Sequence, residues 1–200
     1  MLTSAKNAIL DAGGMFDGCR DLQTVIINEK TTKIGNSSFG RRLNYDTNCR
    51  YLKEVIIPEG VTEIGDVAFI NCSALEKVNI PESVIEIAQE AFRRCVSLKS
   101  ITIPDGMVKI SVSTFDGCKQ LNDIQIGENI TIINDYAFRD APISECKIYA
   151  VEPPVLKNGP LSSSSIDKET AKLYIPKGSL AAYQESDWAT YFGNIIEMEE

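Results

Sequence analysis

The most informative absence in this 200-residue chain is histidine, of which it has none. Histidine is the commonest general base and the commonest neutral metal ligand among side chains. A Ser-His-Asp or Cys-His mechanism is therefore excluded within this chain. Its carboxylates are spread evenly and do not suggest a site where acid and base groups converge. We expect neither an enzyme nor a bound cofactor or metal.

Long apolar runs and excess basic charge are also missing. No stretch reaches the roughly 18 consecutive apolar residues of a membrane helix, so we expect no membrane insertion. The N-terminus, MLTSAKNAILDAGGM, does not match a signal peptide, because Lys6 interrupts it and the apolar run at 8–10 is short. The net charge of −8 argues against nucleic acid as the main partner.

What the sequence does contain is a repeat. Four residue types recur in columns that share one register, with a spacing of 23 residues and a single spacing of 30. The columns are Phe16, Phe39, Phe69, Phe92, Phe115 and Phe138; Cys19, Cys49, Cys72, Cys95 and Cys118; Leu22, Leu52, Leu75, Leu98 and Leu121; and Ile34, Ile64, Ile87, Ile110 and Ile133. Such columns are typical of a solenoid, in which stacked repeats bury a face that one repeat cannot bury alone.

Each repeat begins with a short strand. The stretch from Leu52 ends in period-2 alternation, which is typical of a strand. Pro58, Pro81 and Pro104 end three such strands, because proline has no N–H for the ladder. Seven strand positions follow from this pattern: 22–27, 52–57, 75–80, 98–103, 121–126, 143–148 and 170–175. A second extended piece follows each strand. The stretch from the phenylalanine to the cysteine is then predicted to be a helical turn or 3₁₀ segment that leads the chain back to the next strand.

These patterns predict an α/β-type repeat solenoid, a right-handed stack of short parallel strands with short helical or 3₁₀ returns. Residues 16–148 form the regular repeats, with an insertion at 40–48, and residues 1–15 are an N-terminal cap or a remnant of domain cutting. Residues 149–200 form a divergent last repeat and a C-terminal cap, in which Ser179 is a candidate helix N-cap. The side chains expected to cover the end of the stack are Trp188, Tyr191, Phe192, Ile195 and Ile196.

The repeat sequence also resembles a known family. The segment LKEVIIPEGVTEIGDVAFINCSALEKVNIPESV and the following ITIPDGMVKISVSTFDGC are similar to the BspA-like branch of leucine-rich repeat proteins. The tail KLYIPKGSLAAYQESDWATYF is similar to the ending of such proteins from Bacteroides-type bacteria. The resemblance implies a secreted or surface-exposed bacterial protein that contacts host proteins, matrix or other cells. It implies no catalytic residues, and the fold alone does not name a ligand.

Outward positions of the strands are the first candidate binding surface, since solenoids commonly bind along such a face. Ile26 and Ile56 are apolar where polar residues are expected, and exposed apolar pairs can mark a partner contact. Glu54, Lys77 and Asn79 are predicted to share this face.

The insertion at 40–48 is the second candidate. Insertions in repeat proteins map to one face, which is often the functional one. Arg41, Arg42 and Tyr45 are of residue types enriched at interfaces. Alternatively, the insertion folds over the two outward isoleucines.

The cysteine column invites a chemical interpretation, but packing explains it better. Stacked neighbours place their Cβ atoms about 5 Å apart, beyond the roughly 3.5–4.5 Å that a disulfide requires. Metal sites usually use two cysteines close in sequence, which this chain lacks. We predict buried thiols that pack as small apolar groups. The phenylalanine column is likewise predicted to be core.

An acidic residue follows each of five strands. Stacked carboxylates of this kind could attract a cation such as Ca²⁺, which prefers oxygen ligands. They are equally typical of solvated turns. The sequence leaves the two interpretations open for the column Glu29, Glu59, Glu82, Asp105 and Glu128.

The function that these observations favour is a non-catalytic recognition or adhesion module. It would present a repeat surface to an unknown protein or glycan, such as a host matrix or cell-surface protein, outside the bacterial cell or on its surface. The alternative is a structural spacer within a larger surface protein, without a ligand of its own.

Overall fold

A computed structural model describes residues 4–8, 14–16, 19, 21–42, 48–161 and 165–199. The strands and helices in these residues are β1 (Ser4–Ala8), β2 (Thr24–Ile27), β3 (Lys33–Ile34), β4 (Glu54–Ile56), β5 (Glu63–Ile64), β6 (Lys77–Asn79), β7 (Glu86–Ile87), β8 (Ser100–Ile103), β9 (Lys109–Ile110), β10 (Asp123–Ile126), β11 (Ile132–Ile133), β12 (Glu145–Ile148), β13 (Val155–Leu156), β14 (Lys172–Ile175), α1 (Leu180–Gln184), α2 (Trp188–Tyr191) and β15 (Asn194–Glu197).

The strands pair in parallel on two faces of a β-solenoid of about six turns. The longer strands pair in the orders β1-β2-β4-β6 and β8-β10-β12-β14-β15. The two-residue strands pair as β3-β5-β7 and β9-β11-β13. The predicted stack of parallel strands is confirmed, and each of the seven predicted positions contains a strand. The sequence did not predict β1 and β15, which pair in parallel with β2 and β14.

The return segments are series of turns, so the predicted helical or 3₁₀ returns are not confirmed. The N–H groups of Ala68, Ile70 and Cys72 each donate to the carbonyl three residues earlier, at 3.3, 3.2 and 3.1 Å. A continuous helix does not result, because Val67 and Asn71 have φ of 51° and 60°. Left-handed residues interrupt a right-handed helix, and the next returns repeat them at the same positions.

The remaining N–H groups of each return join it to the next turn of the solenoid. Val67, Phe69 and Asn71 donate to carbonyls 22 residues later, at 3.1, 2.7 and 2.9 Å. The same pattern begins again at Glu90 and at Ser113. Along each return, N–H groups alternately donate within the return itself and to the next repeat of the solenoid. The backbone therefore keeps its hydrogen bonds where the β-ladders end.

The core contains the predicted columns of apolar side chains. Neighbouring phenylalanine rings stack face to face, with centroids 4.8–5.5 Å apart and planes within 10° of parallel. Phe39 and Phe138 are fully buried, as are the three rings between them, and Phe16 is nearly so. Offset stacking of this kind adds to the free energy gained from burial. The prediction that the phenylalanines form core is confirmed.

The cysteines are free thiols within the same core. Cys95 and Cys118 donate to backbone carbonyls of an earlier turn at 3.2 and 3.3 Å. Burial, which disfavours the thiolate, raises the pKa of the Cys95 thiol well above its ordinary value. The predicted packing role is confirmed for Cys49, Cys72, Cys95, Cys118 and Cys146. Cys19 is only half-buried and packs against the edge of the core.

The C-terminal segment places three aromatic side chains in the core. Tyr183, Trp188 and Phe192 are buried. The Tyr183 hydroxyl donates to the carbonyl of Ala150 at 2.8 Å, and Trp188 Nε1 donates to that of Pro154 at 2.9 Å. The divergent last repeat and the helical tail are therefore packed as one unit.

Two details of this segment differ from the sequence-based expectation. Ser179 precedes α1, but its hydroxyl donates to the carbonyl of Pro176 and does not cap the helix. Glu197 Oε1 instead accepts the N–H groups of Gly178 and Leu180, at 2.8 and 3.1 Å. Ile196 does not cover the end of the stack and is 39% exposed, because β15 continues the sheet.

Candidate functional site

The strand face brings together five of the eight candidate residues. Glu54 lies beside Lys77 in the ladder between β4 and β6. Ile26 lies beside Ile56, and Ile56 beside Asn79, in the next outward column. The predicted register of both columns is therefore confirmed over these three strands. The Ile56 side chain is 46% exposed and that of Ile26 is half-buried.

An open groove lies at the ends of β2 and β4. Both Ile26 and Ile56 line it, together with Glu29, Lys30 and Glu59 from the turns that follow. The groove therefore combines apolar side chains with charges of both signs. In the sequence, the isoleucine pair and the acidic column are separate features. The strand pattern alone did not predict that the turns after β2 and β4 place these acids beside the isoleucines.

From β6 to β12 the strand face is polar, which separates the isoleucine pair from Tyr174 and the exposed Ile196 at the other end of the stack. Along the second outward column, Thr102 pairs with Gln125, and Gln125 with Lys147. Lys147 pairs in turn with Tyr174, and its Nζ lies 6.0 Å from the centroid of the tyrosine ring. Thr102 occupies the same position in its repeat as Ile56, two turns along the stack.

The described ends of the insertion lie on a different surface from the strand face. Arg42 Nε donates to Glu90 Oε2 at 3.1 Å, and its Nη2 lies 3.1 Å from Oε1 of the same carboxylate. The Arg41 N–H donates to Asn48 Oδ1 at 2.6 Å. The described ends of the insertion thus lie over the return segments, away from the two isoleucines that it was alternatively expected to cover. Tyr45 falls outside the described residues.

The return segments also hold a buried carboxylate that the sequence-based reasoning missed. Asp116 is buried, and its Oδ2 lies 2.9 Å from Arg93 Nε and 2.7 Å from Arg139 Nη2. Arg93 Nη1 also lies 3.1 Å from Glu90 Oε2, which connects this group to Arg42. We call this series of ion pairs, from Arg42 to Arg139, the arginine ladder. A signal existed, since Arg93, Asp116 and Arg139 alternate in sign at the 23-residue period.

The ladder favours the charged state of its arginines. Burial opposes the charge of Arg93, but hydrogen bonds and attraction to Glu90 and Asp116 outweigh it and raise the pKa of the guanidinium. The hydrogen bond to Asp116 is the largest cause of the raised pKa of Arg139. Both side chains therefore carry positive charge at every physiological pH.

The acidic column forms solvated turns. Asp105 Oδ1 accepts the N–H of Glu128 at 2.9 Å, which links two neighbouring turns of the solenoid. Across the part of the chain that the structure describes, no group of three cysteine, aspartate or glutamate side chains converges to hold a metal ion. In that same part, no helix is long and apolar enough to cross a membrane.

The fold and the repeats define a leucine-rich repeat β-solenoid. The pattern of the BspA type leucine rich repeat region matches residues 12–47 and 44–152, in six copies. The chain belongs to this family. A comparison with curated proteins finds no match.

Several similar solved structures come from bacteria. A leucine rich cell surface protein from Faecalibacterium prausnitzii has a TM-score of 0.68 at 23% identity, over 87% of this chain and 48% of that one. The pneumococcal vaccine antigen PcpA has a TM-score of 0.63 at 20% identity, over 89% of this chain and 42% of that one. A leucine rich repeat protein of T. pallidum has a TM-score of 0.56 at 22% identity, over 76% and 72% of the two chains. These likenesses show the fold, and the chain spans about half the length of the first two proteins.

Proposed function

We propose that this chain is a non-catalytic recognition module that binds a protein or a glycan through its strand face. The observation that carries the proposal is the Ile26–Ile56 pair, which lines an open groove beside a stretch of the strand face that is polar from β6 to β12. Covering apolar area contributes roughly 25 cal/mol per Å², so a partner that buries both side chains gains affinity from them. Adjacent exposed apolar residues can mark a site of interaction with a partner.

The charged side chains around the groove would orient the partner. Glu54 and Lys77 lie in the neighbouring outward column, and Glu29, Lys30 and Glu59 line the groove itself. Charges at the edge of an interface contribute mainly to specificity and to the rate of association. The apolar pair would therefore supply much of the affinity, and the charges would select among partners.

The insertion provides a second proposed contact. Arg41 and Arg42 are exposed on the return segments, and Tyr45 belongs to the same insertion. Arginine and tyrosine are enriched at protein interfaces. Because this surface is separate from the groove, the two contacts can be tested independently.

A location at the bacterial cell surface is part of the proposal. Its support is the family and the similarity to a protein described as a leucine rich cell surface protein. The absence of histidine supports a module that binds and does not catalyse, because the commonest acid–base residue is missing.

The test is a binding screen of the purified chain against immobilised extracellular-matrix proteins and a glycan array. A saturable partner should lose affinity for Ile56→Lys and keep it for Thr102→Lys, which makes the same change at the equivalent position two turns away. Loss with both Arg41→Ala and Arg42→Ala would assign the contact to the insertion. Binding that requires Ca²⁺ would instead assign it to the acidic column.

The second candidate function is a structural spacer within a larger surface protein. Two observations favour it: the sheet extends through β1 and β15 at the two ends of the described stack, and the chain matches about half of two longer proteins. A spacer should show no saturable partner in the screen. Additional repeats in the spacer would then lengthen the larger surface protein without changing which partners that protein binds.

A further inference from the structure

The arginines that the structure describes lie on one surface of this solenoid. The chain has seven arginines, and none lies in a strand or helix of the described residues. The arginines that the structure describes are Arg41, Arg42, Arg50, Arg93, Arg94 and Arg139. Lysines, by contrast, occur in strands such as β6 and β14. All of the described arginines lie in the return segments, which we together name the return surface; these are 35–42, 48–51, 65–74, 88–97, 111–120 and 134–142.

The return surface differs in charge from the rest of the molecule. These segments contain seven basic and five acidic side chains, a local net charge of +2, whereas the whole chain has −8. The excess of carboxylates therefore lies elsewhere on the molecule. Long-range fields of this kind attract ligands of opposite charge.

The two acids of the arginine ladder are more buried than its arginines, whereas Asp140 on the same surface is exposed. The side chains of Asp116 and Glu90 are 4% and 17% exposed, whereas that of Arg42 is 47% exposed. The side chains of Arg93 and Arg139 are 28% and 41% exposed. Along the ladder itself, the guanidinium groups are therefore more accessible to a ligand than the carboxylates that they contact. Two carboxylates hold the guanidiniums in place.

The ladder also fixes the arginines in advance of binding. Arg42 and Arg139 each use two of their three guanidinium nitrogens in contacts with carboxylates, and so does Arg93. A side chain that is already held loses little conformational entropy when a ligand arrives. The planar guanidinium, more than lysine, suits oxyanions that accept two parallel hydrogen bonds, such as sulfate.

The positive groups extend along the axis of the stack. Arg42 belongs to the turn of Phe39 and Arg139 to the turn of Phe138, four turns further on. At about 4.8 Å per turn the row is roughly 20 Å long. Arg93, Arg94 and Lys119 lie in the turns between them. A row of this length matches several units of a linear polymer and exceeds a single small anion.

We propose that the return surface binds a sulfated linear polysaccharide. Nucleic acid is a poorer match, because nucleic-acid modules usually have strongly basic domains, whereas the net charge of the return surface is +2. This inference extends the proposed recognition function to a second surface and names its class of ligand. It does not depend on the groove at Ile56.

The test uses heparin as the probe and measures its affinity for the whole chain by titration at several salt concentrations. The variant is Arg50→Gln with Arg94→Gln and Lys119→Gln, which removes three exposed charges and leaves the partners of Asp116 intact. Its matched control is Lys53→Gln with Lys77→Gln and Lys172→Gln, which removes three exposed charges from the strand side. Thermal unfolding of both variants should match the wild type, which shows that folding is retained.

The return-surface variant should bind heparin at least about tenfold more weakly at physiological salt, and the slope of log K against log salt should fall by about 2 for three lost ion pairs. The control should bind within about twofold of the wild type. Equal loss in both variants, or no saturable binding by the wild type, would overturn the proposal. So would equal affinity for desulfated heparin or for single-stranded DNA. Ile56→Lys should leave heparin binding unchanged, so failure of this proposal is distinct from failure at the groove.

Discussion

Arg139 holds Asp116 with two parallel hydrogen bonds, Nη2 to Oδ2 at 2.7 Å and Nε to Oδ1 at 2.8 Å, across one turn of the solenoid. The carboxylate is buried although the guanidinium is 41% exposed, and two parallel charge-assisted hydrogen bonds are stronger than a single surface ion pair. Arg93 approaches the same carboxylate from the preceding turn. One aspartate therefore joins three consecutive repeats.

The first prediction concerns the stability that this carboxylate provides. Asp116→Asn should lower the free energy of unfolding by about 2 kcal/mol, the usual contribution of hydrogen bonds to charged groups. Glu128→Gln changes an exposed acid in a turn and should have an effect within about 0.5 kcal/mol. Denaturant unfolding of both variants gives the comparison. Equal midpoints would show that Asp116 is dispensable.

The fold was predictable because one physical requirement acts on every repeat. A 23-residue unit that must bury the same face places the same residue at the same point, as Phe69 and Phe92 do. The returns were predicted less well, because an i to i+3 hydrogen bond is common to a 3₁₀ helix and to a series of turns. Only the left-handed φ of Val67 and of its equivalents separates the two, and valine gives no sign of it in the sequence.

The sequence predicted which strand residues of the candidate site lie beside each other. It did not predict where Arg42 lies relative to them. Alternation within the strands placed Ile26 beside Ile56 correctly. Arg42 could not be placed in the same way, because an insertion has no repeat to give its position. Its contact with Glu90, 48 residues later, does not follow the 23-residue spacing of the repeats.

The second prediction tests the stacked phenylalanines. Phe92→Ala should cost about 3–5 kcal/mol, because it leaves a cavity between two rings. Tyr136→Ala removes an aromatic ring that is 41% exposed and should cost much less. The thermal unfolding midpoints of the two variants should therefore differ clearly. Similar midpoints would contradict the assignment of Phe92 to the core.

The third prediction tests the strand register. Ile101→Pro removes an N–H and introduces a ring within β8, which is paired with β10. Amide hydrogen exchange should become faster in both strands, whereas β2 and β4 should keep most of their protection, since repeats contact mainly their neighbours. Unchanged exchange in β10 would contradict the pairing of Ile101 with Ile124.

The fourth prediction concerns pH. The buried Cys95 thiol has a folded-state pKa well above the ordinary value of 9.0. A raised pKa contributes stability that is fully present below pH 9.0 and is lost above it, as unfolded thiols ionise and folded ones stay protonated. Stability should therefore fall above pH 9, and Cys95→Val should reduce that fall. An identical fall in the variant would show that other groups cause it.

The same burial should protect the thiols from modification. Alkylation at pH 8 requires the thiolate and access to it, and Cys95 offers neither in the folded state. We expect all six cysteines to react in denaturant and the buried ones to stay intact without it. Mass spectrometry of the alkylated chain measures both. Rapid labelling of Cys95 in the native protein would contradict its burial in the core.

Recognition of a partner on the strand face, at the isoleucine groove, is tested most directly by site-specific cross-linking. A photoreactive p-benzoylphenylalanine is placed at position 56 or, as the control, at position 102, and each variant is cross-linked to the partner found in the screen. We predict a strong cross-link from position 56 and little from position 102, because only the first lies at the groove. Equal cross-linking from both positions, or cross-linking from position 102 alone, would contradict recognition at the groove.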